Sequence, residues 1–265
     1  MRNPQIKMQS TSNRTDSGIE FKIKNPAPQL SDFVESFWML ENTSAATHET
    51  VGLPDGRFDI IFSYSAGEPF SAMLMGLGTE HGQHAIPPKI VMFAVSFKLL
   101  AIEYVLDIKA ASLLNTAYPL PAGFWGIEKS DLDDFESFCE KVSAKMIALV
   151  KPDIDVRKKK LFDLIYASNG TLSVKELSGG VFWSSRQINR YFNGQFGISL
   201  KAYCSILRFK MALHDIKNGK LFPELNFADQ THFIKEVKKF SGVVPKELFK
   251  NQNDRFILLS ALPKK

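Results

Sequence analysis

Arg186, Gln187 and Arg190 fall within one helical turn of the segment SSRQINRYFNGQFG. Ile188 and Phe192, four apart, form the apolar stripe of that turn, so the three polar side chains point the other way. A guanidinium and a carboxamide are the groups that pair bidentately with base edges, Arg with guanine and Gln with adenine. Each such pair supplies about 1–3 kcal/mol of discrimination. Ser185 and Arg186 stand at the helix start, the end that reaches a groove floor. The segment DQTHFIKEVKKFSGVVP, residues 229–245, repeats the plan. Asp229 is positioned to cap it, Phe233, Val237 and Phe240 face inward, and Thr231, His232, Lys235 and Lys238 face out. Lysines act as point charges and suit phosphates better than bases. Phe182 and Trp183 read as residues that pack a turn.

Other constellations carry less chemistry. Glu80, His81 and His84 in EHGQH are ligand types, but they lie in a Gly-rich loop with no third histidine, so no metal is assigned. Asp55 reads as a turn carboxylate and Asp59 as a strand residue. No paired-carboxylate or Ser/His/Asp arrangement can be built, no catalytic residue is assigned, and nothing calls for a cofactor. Cys139 and Cys204 are far apart, with neither CxxC nor Cys/His spacing, and read as reduced packing residues of a cytoplasmic protein. The opening residues lack the apolar stretch of a signal peptide, and no run reaches the length of a membrane span.

The elements that must position these side chains divide the chain by charge. Residues 1–150 carry 12 Lys+Arg against 18 Asp+Glu, and residues 151–265 carry 21 against 10, which gives balances of −6 and +11. The basic half is the one suited to a polyanion. Residues 1–20 are polar and read as a flexible arm. From residue 21, FKIK, GRFDIIFSYS, FSAMLMGLGTEHGQHAI and KIVMFAVSFKLL read as short strands, with Asp55-Gly56 as a turn between strands. That rhythm predicts a β-sandwich or barrel. DLDDFESFCEKVSAKMIALVK then predicts a helix with Asp131, Asp133 and Asp134 in its first turn.

Beyond Asp153 everything reads helical. VRKKKLFDLIYASNG closes at Asn169-Gly170, LSVKELSGG opens on a Ser173/Glu176 capping box, and SSRQINRYFNGQFG closes at Asn193-Gly194. Two short helices joined by a tight turn make a helix-turn-helix. A longer helix over 199–218 spans roughly 30 Å. That is close to the 34 Å of one DNA turn, so it can offer both reading helices to successive major grooves.

SVKELSGGVFWSSRQINRYFNGQFGISLKAYCSILRFKMAL and NFADQTHFIKEVKKFSGVVPKEL together resemble the AraC/XylS transcription regulators. The resemblance implies an α+β chain with an all-α domain over 153–250. That domain would hold two helix-turn-helix units joined by a linker helix, followed by a tail over 251–265. Ser185, Arg186, Gln187 and Arg190 would lie in the first reading helix, and Thr231, His232 and Lys235 in the second. LSDFVESFWMLEN, LPDGRFDIIFSY and PLPAGFWGI resemble, more weakly, the cupin-like barrel that one subgroup of these regulators carries. It would occupy residues 21–150 with its trailing helix and serve ligand sensing or dimerisation. The implied partners are duplex DNA, a small-molecule effector, a second copy of the chain and, for an activator, RNA polymerase; no membrane is implied. Two departures stand out. Only KLFPELNFA separates Gly219 from Asp229, and its Pro223 opposes a full positioning helix, so the second unit is expected to be shortened. In the first unit, Phe182 holds the turn position usually given to Gly. The competing readings are a cupin-type metalloprotein or enzyme, and a ligand- or protein-binding module with a degenerate DNA-binding part.

Overall fold

The computed structural model describes residues 10–14, 18–222, 229–256 and 259. The chain is α+β: antiparallel strands come first and helices follow. The strands are β1 (Ser10–Arg14), β2 (Ile19–Lys24), β3 (Val34–Asn42), β4 (His48–Gly52), β5 (Phe58–Tyr64), β6 (Ser71–Met75), β7 (Gly82–Ile86), β8 (Val91–Phe97) and β9 (Ala117–Pro119). Seven of them form one sheet in the order β1-β2-β3-β8-β5-β6-β9, and β4 pairs with β7 in a separate two-stranded sheet. The expected barrel is therefore not closed: β1 and β9 are the sheet's two edges. β9 is three residues long and ends on Pro119, which has no N–H to extend the ladder. Ser10–Arg14, inside the stretch expected as a flexible arm, pair antiparallel with β2. Asp55-Gly56 makes a turn, with Gly56 at φ 78°, but β4 and β5 do not pair across it.

The strands form because their apolar residues alternate or run together. In β5, Phe58, Ile60 and Phe62 are buried while the residues between them are half-buried. This face lies under the helix α2 (Phe135–Leu149), which follows the short α1 (Ala101–Tyr104). Phe138 meets Phe62 and Phe93 edge-on, with ring centroids 5.7 and 5.4 Å apart. The acids expected in the first turn of α2 lie ahead of it, because residues 129–133 wind as a separate 3-10 turn. Asp134 is the N-cap, accepting from Ser137 N, and Asp131 pairs with Lys141 at 2.8 Å. A smaller core of Ile19, Phe21, Leu40, Ile86 and Ile90 lies apart from the main one.

The helical half comprises α3 (Val156–Ala167), α4 (Val174–Gly180), α5 (Ser185–Phe196), α6 (Leu200–Lys217), α7 (Gln230–Ser241) and α8 (Pro245–Lys250). Its start and stop signals act as the spacing predicts. Ser173 and Glu176 form a reciprocal capping box, Ser199 caps α6, and Asp229 accepts from His232 N at 2.7 Å. Gly170, Gly219 and Gly242 follow helix ends at positive φ. One end differs: α5 runs through Asn193-Gly194 and stops at Gly197, φ 75°. Interior Gly costs about 1 kcal/mol, and burial of the Phe196 ring two residues later outweighs it. The shortened linker KLFPELNFA lies largely outside the described residues, since 223–228 are not among them.

Composition divides the chain near residue 150, yet packing does not. One continuous apolar core includes Phe58 and Phe97 of the sheet, Phe138 of α2, Phe162 of α3 and Phe209 of α6, and ends at Leu259. Burial pushes the Cys139 thiol up to about 12 and the Cys204 thiol up to about 11, so both pack as inert thiols.

Candidate nucleic-acid interface

α5, the candidate first reading helix, is fixed from behind and open in front. Ile188, Phe192 and Phe196 are buried, and Phe162 of α3 meets Tyr191, Phe192 and Phe196. Tyr191 donates to Glu103 at 3.0 Å, and Gln195 donates to the Ile108 carbonyl at 2.7 Å. Both acceptors belong to the N-terminal half, so α5 is held by hydrogen bonds from outside the helical half. Its outer face carries Arg186, Gln187 and Arg190, all exposed. Among the described residues neither Arg186 nor Arg190 enters an ion pair or hydrogen bond, whereas Arg57, Arg157, Lys158 and Lys210 do.

Two of the predicted readers have other duties. Gln187 Oε1 accepts from Ser184 N at 2.8 Å and from Ser184 Oγ at 3.0 Å, which closes the capping box of α5. A bidentate adenine contact needs that same oxygen, so Gln187 must leave its cap to read a base. Ser185 is half-buried, with its Oγ 3.4 Å from Ser178 Oγ on α4.

The second candidate helix, α7, buries Phe233, Val237 and Phe240 and exposes Thr231, His232, Lys235 and Lys238. Phe240 packs on Phe209 of α6, with centroids 5.2 Å apart, and Lys239 lies over the Phe240 ring. Pro245 then opens α8 at its first position, where a missing N–H costs nothing. α6, which lies between α5 and α7 in the chain, has 18 residues and so spans about 27 Å. It is not a bare strut: Tyr203 donates to the Gly56 carbonyl at 3.0 Å, and the residues following α8 reach back to the sheet, where the Arg255 carbonyl accepts from Val51 N at 2.7 Å and Thr50 Oγ1 at 2.9 Å.

A charged cleft of about 220 Å³ lies where α3 and α6 meet β3 and β5, lined by Glu35, Arg57, Lys98, Tyr166, Tyr203 and Lys210 among others. Sequence reasoning passed over these residues. The available signal was a charge inside an apolar run, Glu35 in VESFWML and Lys210 in ILRFKMAL. Lys210 bonds Glu35 at 2.7 Å across the two halves of the chain. Burial alone would raise the Glu35 carboxyl, but Lys210 and Arg57 outweigh it and hold it down to about 2. Lys210 gains less: burial, with Arg57 beside it, lowers its ammonium further than Glu35 raises it. Burial also raises the Asp59 carboxyl, and nearby Asp55 adds to that.

The depressed Glu35 carboxyl makes a pH prediction. A carboxyl lowered on folding from 4.5 contributes stability that is complete above about pH 4.5 and lost as pH falls towards about 2. Glu35→Gln is therefore expected to flatten the acid limb of the stability curve within that window. Urea midpoints measured from pH 5 to pH 2 check this; parallel acid limbs for the two proteins would refute the pairing.

Glu80, His81 and His84 are not brought together as a metal site. His84 lies against Gly52 and Gly82, His81 against Gly242 at the end of α7, and among the described residues no group of three His, Cys, Asp or Glu could share an ion. Among the described residues no helix is long and apolar enough to cross a membrane.

Residues 23–119, less than half of the chain, match the family described as a domain of unknown function, DUF6597. No curated protein matches the chain. Among solved structures the chain is similar to ToxT from Vibrio cholerae, at 13% identity and a TM-score of 0.44, over 80% of this chain and 97% of that one. ToxT from V. cholerae O395 gives 12% identity and a TM-score of 0.46, over 84% and 97%. Unsaturated fatty acid-bound ToxT from strain SCE256 gives 10% identity and a TM-score of 0.41, over 94% and 97%.

Proposed function

We propose that the chain is a sequence-specific DNA-binding transcription regulator of the AraC/XylS kind, working in the cytoplasm. α5 and α7 enter successive major grooves of one duplex, and the N-terminal half senses an effector or pairs two copies. One observation carries the reading: Arg186, Arg190, Lys235 and Lys238 are exposed on two capped helices, and among the described residues their side chains enter no ion pair or hydrogen bond. Unspent cations on rigid elements are what a polyanion requires, and each phosphate they neutralise releases a counterion. The resemblance of residues 153–250 to that family supports the same reading, as does the +11 balance of residues 151–265.

Within this reading the roles divide by chemistry. Arg186 and Arg190 read base edges, Gln187 does so once its cap opens, and Ser185, Thr231 and His232 add hydrogen bonds at the two helix starts. Lys235 and Lys238 hold phosphates. The N-terminal half bears on reading because Glu103 and the Ile108 carbonyl grip α5 while Gly56 and Glu35 grip α6. An activator would also meet RNA polymerase.

Binding of labelled duplexes across a salt series tests the proposal. Tight binding to an enriched sequence should weaken steeply with salt. Arg186→Ala should relax preference at one base pair by about 1–3 kcal/mol. Lys238→Ala should weaken all sequences alike and reduce the salt slope by about one. A flat salt series, or no preferred sequence, removes the proposal; an unaltered preference in Arg186→Ala removes α5 as the reading helix.

A further inference from the structure

Phe182 is the most exposed large apolar residue described, at 96%. It also has φ 53°, a conformation that costs a bulky residue energy and that glycine or asparagine adopts readily. The other positive-φ residues described, apart from glycine, are Lys, Asn or Asp, except Trp125, whose ring packs on Phe97 and Phe124. At Phe182 a backbone cost and an exposed ring coincide with no return from the described residues.

The neighbours fix the geometry. Val181 is fully buried, and Trp183 lies against Tyr191 with Arg157 over its ring. With both flanking residues anchored, the left-handed turn drives the Phe182 ring outward, two residues before the Ser184 cap of α5. Building on the DNA-binding reading above, we infer that Phe182 is a DNA-contacting residue, its ring lying on the apolar parts of the duplex, deoxyribose or a thymine methyl, beside the groove that α5 enters.

Charge selects this occupant. Across α4 and α5 the charged residues are Lys175, Arg186 and Arg190 against a single acid, Glu176, whose carboxylate is already spent on Ser173 N. Cores of protein–protein interfaces are depleted of charge, whereas an apolar ring among cations fits a polyanion with apolar edges. The left-handed backbone also explains why nothing smaller is required by the fold: asparagine would serve the turn.

The full chain, titrated against a fluorescein-labelled duplex that the wild type has enriched from a random pool, tests this. Phe182→Asn is expected to weaken binding about tenfold, to leave the salt slope unchanged, and to unfold at the wild-type temperature or above. Phe182→Tyr should keep affinity within about twofold, since its ring covers the same area. Unchanged affinity in Phe182→Asn, beside weakened binding in Arg186→Ala, overturns the inference and leaves the DNA-binding reading standing. So does normal binding with a lost transcriptional response in a reporter, which would assign the ring to a protein. A wild type that enriches no duplex removes the reading, and the inference with it.

Discussion

Phe162→Ala is expected to lower stability by about 3–5 kcal/mol, the range for truncating a buried aromatic residue. Phe162 is 1% exposed on α3, and its ring lies 5.9–6.3 Å from those of Tyr166, Tyr191, Phe192 and Phe196. It is the platform on which α5 rests, so the cavity left by alanine has walls on both helices and cannot close without moving the outer face of α5. On the proposed DNA-binding reading, binding should weaken for every duplex equally, because Arg186 and Arg190 are displaced rather than removed. Phe162→Leu retains most of the volume and should recover most of the loss. Urea midpoints followed by tryptophan fluorescence, for which Trp183 against Tyr191 is a local reporter, measure the effect. The midpoint is the quantity to compare, since a chain of 265 residues need not unfold in one step. An alanine variant with a wild-type midpoint would show that α5 is held by its contacts to Glu103 and Ile108 alone.

The helical half was legible because its signals are local. Ser173 with Glu176, Ser199, Asp229, Gly170, Gly219 and Gly242 each fix an end through one side chain or one left-handed residue. Asn193-Gly194 misled because it copies an end signal inside a helix that burial of Phe196 prolongs. In the N-terminal half the strands were legible from apolar runs, but their order was not. Whether β4 pairs with β5 or with β7 depends on contacts between residues 30 to 38 apart in the chain, which no turn signal encodes. The open edge at β9 was hidden for the same reason. The exposure of Arg186, Arg190, Thr231, His232, Lys235 and Lys238, the proposed readers, follows from helical period alone. The second job of Gln187 could have been read as well, since Ser184-x-x-Gln187 has the same capping-box spacing as Ser173-x-x-Glu176. The Glu35–Lys210 bond joins residues 175 apart, so sequence shows only two misplaced charges.

Gly170→Ala is expected to destabilise the chain by about 2–5 kcal/mol, from two independent sources. At φ 72° an added Cβ incurs the left-handed penalty of about 1–2 kcal/mol. The same Cβ would stand 2.6 Å from the Cys204 carbonyl oxygen and 2.9 Å from its Cα, both backbone atoms of α6. Backbone cannot turn aside as a side-chain tip can, so α3 and α6 must separate, and overpacking of that kind costs typically about 1–3 kcal/mol more. The Arg208 guanidinium, which donates to the Gly170 carbonyl at 2.7 Å, is pulled from its partner by the same shift. Asn169, one residue earlier at φ 50°, is the internal control. Asparagine tolerates that conformation and glycine tolerates it better, so Asn169→Gly should change stability by less than about 1 kcal/mol. The pair therefore separates the two causes: adjacent positions share the left-handed backbone, but Cys204 crowds Gly170. Thermal unfolding of both variants decides. Equal melting temperatures for Gly170→Ala and wild type would mean that α3 and α6 do not cross at this glycine, and that the spacing between them is set elsewhere.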